Sequence, residues 1–185
     1  MKNVPICGFP AAPSRWVERL APLIRPGGSV LDLAAGTGRH VRLLLDSGFA
    51  VRAADCDTSA LLPLAGPNCE IAEIDLESGA DWPFGGGYDG IVVTNYLHRP
   101  LLPAIGQALA PGGVVIYETF AVGNERFGRP KNPDFLLRPG ELLSAFAALT
   151  IVAFEQGLVT APRPAVIQRI AALAGPLEQL PQIPV

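Results

Sequence analysis

Cysteine is scarce in this 185-residue chain, and its scarcity excludes two kinds of small protein. The three cysteines, Cys7, Cys56 and Cys69, are too few and too scattered for a disulfide framework or a closed zinc site. We interpret them as buried thiols in a reducing compartment, and we expect no metal site.

Charge and long apolar runs are also scarce. Only 17% of the residues are charged and the net charge is −3, so the chain has no bulk attraction to nucleic acid or to an anionic membrane. No uninterrupted apolar run approaches the roughly 20 residues that span a bilayer. The N-terminal stretch MKNVPICGFPAAPSRW has three prolines and no continuous apolar core, unlike a signal peptide. We therefore expect a cytoplasmic protein with no membrane partner.

What the sequence does contain is a regular alternation of strand and helix patterns. With 49% apolar residues, a chain of this length can form one domain with a substantial core. The segments typical of buried strands are SVLDLA, FAVRAAD, CEIAEID, YDGIVVTN and VVIYETFA. The helix patterns are SRWVERLAPLI with Ser14 as N-cap, RHVRLLLDSG closed by Gly48, TSALLPLA, RPLLPAIGQALA ended by PGG, and ELLSAFAAL. The alternation predicts a three-layer α/β sandwich with a parallel sheet.

The pattern changes after residue 121. Residues 122–139 form a long segment rich in Gly, Pro and Arg, which predicts a lid-like loop. The last two strand patterns, TIVAFEQGLVT and AVIQRIAAL, are joined only by APRP, so they must be antiparallel. We therefore predict an irregular N-terminal arm over residues 1–13 and a single domain over residues 14–185. Its seven-stranded, mostly parallel sheet ends in an antiparallel hairpin.

The stretch VLDLAAGTGRH, residues 30–40, indicates a ligand at the end of the first strand. Gly36 and Gly38 let the backbone approach a ligand closely, but the spacing A-x-G-x-G differs from the G-x-G-x-x-G of dinucleotide sites. Asp32 stands just before the turn. Its carboxylate would repel a diphosphate by about 4 kcal/mol at ~4 Å and an effective dielectric of ~20. It would favour an ammonium or a sulfonium group, and S-adenosylmethionine carries both. The alternative is that Asp32 caps the turn.

Two further acids stand at the ends of the next two strands. Asp55 follows Gly36 by 19 residues, the separation expected for a carboxylate that accepts both ribose hydroxyls. Asp75 ends the third strand, where it can accept a hydrogen bond from an adenine amino group. Asp57 is interpreted as a helix cap. Each acid alone is also explained as a solvated strand end, but the three together indicate an adenosyl ligand.

These motifs resemble those of the class I S-adenosylmethionine-dependent methyltransferases over roughly residues 28–175. VLDLAAGTGRH is similar to their first motif, with Ala34 where glycine is more usual, and VRAADCD to their ribose-binding strand end. IDLESGADWPF resembles their adenine-binding loop. The regions of their fourth and fifth strands are similar to YDGIVVTNYLH and ALAPGGVVIYETF. The resemblance implies a Rossmann-like fold and S-adenosyl-L-methionine as cofactor. It implies cofactor contacts from Asp32, Ala34, Gly36, Thr37, Gly38, Asp55, Cys56, Asp75, Leu76 and Asn95.

The segment NYLHRP, residues 95–100, stands where a methyl acceptor would approach. His98 is the candidate catalytic base, because histidine is the side chain that titrates near neutral pH without perturbation. The alternative is that His98 caps or packs at the helix start. Tyr96 either lines the pocket or belongs to the core.

Four cationic residues fall in the loop 122–139, namely Arg126, Arg129, Lys131 and Arg138. They indicate either an anionic substrate or simply a solvated loop. Glu118, near the exit of the fifth strand, is expected to pair with one of these arginines. The residues expected to bind substrate are Tyr96, Arg99, Glu118, Arg126 and Arg129.

The acceptor class is predicted from what the methyltransferase pattern lacks. Asn-Pro-Pro-Tyr is missing after the fourth strand, which argues against adenine-N6 methylation, and no appended domain offers surface for a nucleic acid. NPDFLLRPGELL resembles the corresponding segment of tellurite-resistance-type methyltransferases. We expect a small-molecule acceptor, with an RNA or protein acceptor as the alternative. A non-catalytic adenosylmethionine-binding protein also remains open, whereas Asp32 disfavours a nucleotide-linked oxidoreductase.

Overall fold

A computed structural model describes residues 12–79 and 81–175, and its centre is a seven-stranded sheet. The strands are β1 (Ser29–Leu33), β2 (Ala50–Asp55), β3 (Cys69–Glu73), β4 (Tyr88–Thr94), β5 (Leu109–Phe120), β6 (Thr150–Val159) and β7 (Ala165–Leu173). Their order across the sheet is β3-β2-β1-β4-β5-β7-β6, and β7 is antiparallel to both neighbours. The predicted mostly parallel sheet with a closing hairpin is confirmed.

Short helices cover both faces of the sheet. They are α1 (Arg15–Leu20), α2 (Arg39–Asp46), α3 (Leu102–Gln107) and α4 (Glu141–Ala145). The first begins where Ser14 predicts, because the Ser14 side chain accepts a hydrogen bond from the Trp16 N–H at 3.1 Å. The second ends just before Gly48, whose φ of +85° closes the turn.

The side chains of each strand alternate between two apolar layers. Val30 packs with Trp16 of α1 and Leu44 of α2, whereas Leu31 packs in the cluster that contains Ile105 of α3. This alternation is the period-2 pattern of a strand buried on both faces. It therefore assigns each polar residue in the sheet to one helical layer or the other.

Several expected helices are shorter in the structure; the ELLSAFAAL pattern, for example, is helical only over Glu141–Ala145. TSALLPLA is predicted to be helical, but only Leu62–Leu64 forms a 3₁₀ turn, because Pro63 has no N–H for a continuing helix. The helix over RPLLPAIGQALA ends at Gln107 rather than at PGG, and β5 begins at Leu109. Its neighbour β4 pairs with it through an irregularity between Tyr88 and Gly90.

Parallel strands bring their carboxyl ends to one edge of the sheet, and the strand order reverses there between β1 and β4. Ligands of open α/β sheets bind at such a reversal. The expected N-terminal arm, residues 1–13, lies outside the described residues except for positions 12 and 13. In the described ranges, no helix is long and apolar enough to cross a bilayer.

Candidate active site

The turn after β1 is built from left-handed backbone. Ala34, Gly36 and Gly38 have φ of +57°, +56° and +75°. Open space surrounds Gly36, whereas a side chain at Gly38 would collide with Leu61 and Leu64 at 2.9 and 2.7 Å. Gly38 therefore packs inward, and the backbone around Gly36 borders the cradle in which a ligand would lie. Thr37, between them, is exposed.

Asp32 lies inside β1 and is 1% exposed. Its Oδ2 atom is buried and has no hydrogen-bond partner among the described residues. Burial raises the pKa of this carboxyl to about 8, against an opposing effect of Arg39 and with a smaller contribution from Asp55. The side chain makes no capping hydrogen bond to the turn, so the capping alternative is wrong. A buried carboxyl with an unpaired oxygen calls for a cationic or hydrogen-bond-donating partner beyond the described residues.

Asp55 joins the turn after β1 to the end of β2. Its Oδ2 accepts the Gly36 N–H at 2.7 Å, and its Oδ1 accepts the Asp57 N–H at 3.1 Å. Asp57 in turn accepts the Ser59 N–H at 3.0 Å, so it caps a turn rather than the expected helix. Since each carboxylate oxygen has two lone pairs, Asp55 keeps acceptor capacity beyond these two bonds, part of which the Cys56 thiol uses. Its neighbour Cys56 is exposed, so the expectation of buried cysteines is wrong at this position, whereas Cys69 is buried.

Asp75 is exposed and lies two residues beyond the end of β3 rather than at its last residue. Its Oδ1 accepts the Glu77 N–H at 2.9 Å, which orients the carboxylate. The N–H of Leu76 donates to no acceptor in the described part of the chain. An acceptor and a donor on adjacent residues match the amino group and neighbouring ring nitrogen of an adenine.

The end of β4 brings Asn95, Tyr96 and His98 to the same edge. Asn95 has φ of +56°, an unusual conformation for a residue with a side chain, and its N–H donates to the Glu118 carbonyl at 2.8 Å. His98 precedes the 3₁₀ turn Arg99–Leu101 and makes no side-chain capping hydrogen bond. Its half-buried imidazole has no partner among the described residues, so it is free to contact a ligand.

Arg99 is engaged by the protein rather than open to a ligand. Its guanidinium donates to Glu141 at 2.7 and 3.0 Å and to the carbonyls of Asp134 and Leu136 at 2.6 and 2.9 Å. These bonds fasten the loop 122–139 and α4 to the start of α3. We therefore leave Arg99 out of the proposed substrate contacts.

Glu118 does not pair with a loop arginine, so that expectation is wrong. Its Oε2 accepts Arg169 Nη1 of β7 at 2.9 Å, and its Oε1 accepts the Ser14 hydroxyl at 2.8 Å. Glu118 lies directly opposite Arg169 in the antiparallel register. Arg169 also donates a hydrogen bond to Glu155 of β6. Because the ion pair with Arg169 neutralises the Glu118 carboxylate and ties it to β7, we also leave this residue out of the substrate site.

The sequence analysis missed a buried polar chain beside the site. The Ser14 N–H donates to His40 Nε2 at 3.0 Å, so the neutral imidazole carries its hydrogen on Nδ1, facing Thr94 Oγ1 at 3.3 Å. Burial, aided by Arg39, lowers the pKa of His40 to about 3. The spacing of His40 and Leu44 on the buried face of α2 was the available indication that His40 is internal.

Two backbone hydrogen bonds close the loop 122–139 at its base. The Val122 N–H donates to the Leu137 carbonyl, and the Leu137 N–H donates to the Phe120 carbonyl. Buried Asn124 anchors it, accepting the Val166 N–H at 3.2 Å and donating to the Arg129 carbonyl at 3.3 Å. A cavity of about 40 Å³ lies there. Its lining residues are Phe120, Asn124, Phe127, Gly128, Arg129, Arg163, Pro164 and Ala165. Arg126 lies outside this lining, with its guanidinium 5.8 Å from the Phe127 ring centre.

A family model described as a methyltransferase domain matches residues 9–138, more than half of the chain. No curated protein sequence matches the chain significantly.

The solved structures with a similar fold share little sequence with this chain. TehB from Haemophilus influenzae superposes with a TM-score of 0.69 at 19% identity, covering 86% of this chain and 61% of TehB. This chain therefore spans less than two thirds of TehB. A 1,6-didemethyltoxoflavin-N1-methyltransferase from Burkholderia thailandensis superposes with a TM-score of 0.62 at 22% identity, covering 87% of this chain and 76% of that enzyme. A Haloferax volcanii putative methyltransferase, solved with the Trm112 activator, superposes with a TM-score of 0.65 at 16% identity, covering 88% of this chain and 91% of that protein.

The structural matches confirm the fold, and the family match confirms the predicted methyltransferase family, whose cofactor the sequence analysis predicts to be S-adenosylmethionine. The residues of the edge fit that cofactor, because the orphaned Asp32 carboxyl, the open cradle at Gly36 and the spare acceptors of Asp55 and Asp75 lie at successive strand ends. The chain therefore belongs to the methyltransferase domain family.

Proposed function

We propose that this protein transfers a methyl group from S-adenosylmethionine to a small-molecule acceptor that carries an anionic group. The observation that carries the acceptor class is the cavity of about 40 Å³ with Arg129 and Arg163 in its lining. This volume admits a carboxylate or a similarly small oxyanion rather than a polymer chain, since about 10–15 Å³ by the same kind of measure holds one water. Guanidinium groups are the side chains suited to such anions.

The proposed cofactor contacts follow the edge of the sheet. Asp32 would accept the ammonium of the methionine part, and the left-handed backbone at Ala34 and Gly36 would lie against the ligand. Asp55 would accept the ribose hydroxyls through its remaining lone pairs. Asp75 and the Leu76 N–H would bind the amino group and a ring nitrogen of adenine. Thr37, Gly38, Cys56 and Asn95 remain proposed contacts of the same ligand.

The chemistry of methyl transfer requires little covalent help from the protein. Bound S-adenosylmethionine supplies a methyl carbon that its positive sulfur activates for in-line displacement. The protein aligns the acceptor with that carbon and excludes water. His98 would remove a proton from an acceptor that is protonated at neutral pH. Its imidazole is half-buried and unpartnered among the described residues, as this role requires.

The loop 122–139 is the proposed lid over the acceptor. Arg99 holds one of its ends through Asp134 and Leu136, and Asn124 holds the other. Arg126 and Arg129 are its proposed substrate-binding residues. The structural neighbour named as a didemethyltoxoflavin methyltransferase supports a small-molecule acceptor.

The test is a transfer assay with isotopically labelled methyl donor against separate pools of small anionic metabolites, RNA and protein. We expect label in a small anion, and we expect Arg129→Gln to raise the KM for that acceptor without changing the affinity for S-adenosylhomocysteine. Label incorporated only into RNA or protein would replace the small-molecule assignment with the alternative class. The absence of S-adenosylhomocysteine binding would overturn the cofactor assignment as well.

A further inference from the structure

Tyr96 is a buried tyrosine whose hydroxyl group has no hydrogen-bond partner in residues 12–79 and 81–175. The residue is 8% exposed, and its hydroxyl oxygen is buried. An unpaired hydroxyl in a protein interior costs free energy, and native structures rarely leave one. The hydroxyl of Tyr96 therefore points to a partner that the described residues do not supply.

The other two tyrosines of the chain are paired. The Tyr88 hydroxyl donates to the Phe84 carbonyl at 3.1 Å, and the Tyr117 hydroxyl donates to the Tyr96 carbonyl at 2.8 Å. The latter bond, together with the Asn95 N–H to Glu118 carbonyl bond, fixes the backbone on both sides of the Tyr96 side chain. The position of the unpaired hydroxyl is therefore set by the fold.

The Tyr96 ring belongs to the apolar cluster against which Ala34 of the turn and Leu76 beside Asp75 pack. The polar groups that act on its phenol either end or follow β2 and β3. Burial raises its pKa, and the carboxylates of Glu77, Asp75 and Asp55 and the Cys56 thiol raise it further. The phenol is thus protonated, and it is a donor in a region where the side chains are mainly acceptors. None of these groups lies in the loop 122–139, where the acceptor is proposed to bind.

Adenosine needs a donor of this kind. Its amino group and two ribose hydroxyls are the groups that Asp75 and Asp55 can accept, but its ring nitrogens and ring oxygen can only accept hydrogen bonds. The carboxylates cannot satisfy those atoms. Apart from backbone N–H groups such as that of Leu76, the Tyr96 hydroxyl is an available donor on this side of the edge.

We propose that the Tyr96 hydroxyl donates a hydrogen bond to the adenosine part of the cofactor, so that Tyr96 recognises the cofactor rather than the methyl acceptor. This proposal rests on the proposed function, because it requires an adenosyl ligand at the Asp55 and Asp75 end of the site. It moves Tyr96 from the expected substrate contacts to the cofactor contacts.

The test compares Tyr96→Phe with Tyr88→Phe in the full chain. Both substitutions remove a buried hydroxyl, but of the two only Tyr88 has an acceptor among the described residues. S-adenosylhomocysteine is titrated by calorimetry with no acceptor present, and the ligand-free melting temperature is measured in parallel. We expect Tyr96→Phe to bind about tenfold more weakly while its ligand-free melting temperature is unchanged or higher. We expect Tyr88→Phe to melt at a lower temperature with unchanged affinity.

Three results would overturn the proposal. Unchanged affinity in Tyr96→Phe would show that the hydroxyl does not contact the cofactor. A fall in both affinity and melting temperature, with the melting loss matching that of Tyr88→Phe, would assign the hydroxyl a structural role. If the wild-type protein bound no S-adenosylhomocysteine, the proposed function would fail together with this inference, whereas the first two results leave the proposed function intact.

Discussion

Replacing Asp32 with asparagine tests the electrostatics of the site through the stability of the protein. Asp32 is fully buried in β1, and its Oδ2 atom receives no hydrogen bond from the described residues. Burial is the main reason that its pKa rises from 3.8 to about 8. The folded protein therefore keeps this carboxyl protonated at neutral pH, while the unfolded chain ionises it near pH 4.

Proton linkage determines whether the stability of the protein rises or falls with pH. Between about pH 4 and about pH 8 the folded state binds more protons at this position than the unfolded state, so raising the pH lowers stability. Each pH unit in this window costs about 1.4 kcal/mol, which amounts to roughly 6 kcal/mol across the whole window. The loss stops above the folded-state pKa.

The assay is denaturant unfolding of wild type and Asp32→Asn at about pH 5, 7 and 9. Linkage predicts that the difference between their free energies of unfolding changes from one pH to the next. The buried amide that this substitution introduces costs a constant amount at every pH, so the informative quantity is how the stability difference changes with pH. We expect the free energy of unfolding of Asp32→Asn, relative to that of wild type, to rise by several kcal/mol between the lowest and highest pH. The exposed Asp81→Asn serves as control. A difference that stays constant with pH would refute the burial argument.

The same carboxyl links cofactor binding to proton release. At pH 7 a group with a pKa of about 8 is protonated in about 0.9 of the molecules, and a bound ammonium would drive this proton off. Calorimetry in buffers of different ionisation enthalpy measures the release. We expect close to one proton per S-adenosylmethionine in wild type and none in Asp32→Asn.

Three further substitutions test separate parts of the site. Asp55→Ala should weaken S-adenosylhomocysteine binding more than tenfold by calorimetry, and should lower the melting temperature because the Gly36 N–H loses its acceptor; unchanged affinity would reject the ribose assignment. His98→Ala should lower turnover in the labelled-methyl assay while leaving cofactor affinity unchanged, and equal turnover would reduce His98 to packing. Ala34→Gly should stabilise the protein by up to about 1 kcal/mol in thermal unfolding, because Ala34 occupies a left-handed conformation. A loss of stability in Ala34→Gly would contradict the strain.

The sequence predicted most of the fold because the relevant patterns are local. Buried strands, the Ser14 cap and the closing hairpin depend on residues close together in the chain, and the structure confirms them. The prediction failed where proline chemistry outweighed apolar spacing, as at Pro63. It also failed at Glu118, because the expected partner was chosen by nearness in sequence. The actual partner, Arg169, is 51 residues away.

The linear sequence by itself determined the order of the strands along the chain, the small-residue turn and the acids that follow successive strands. Backbone conformation and the period of apolar residues act over a few positions, so they can be read without knowing the fold. Only the tertiary structure decided that Asp32 is buried with an unpaired oxygen, that Glu118 pairs with Arg169 and that the Tyr96 hydroxyl is left unpaired. These features depend on which strands become neighbours and in what register, and the packing of distant segments sets the environment of each charge.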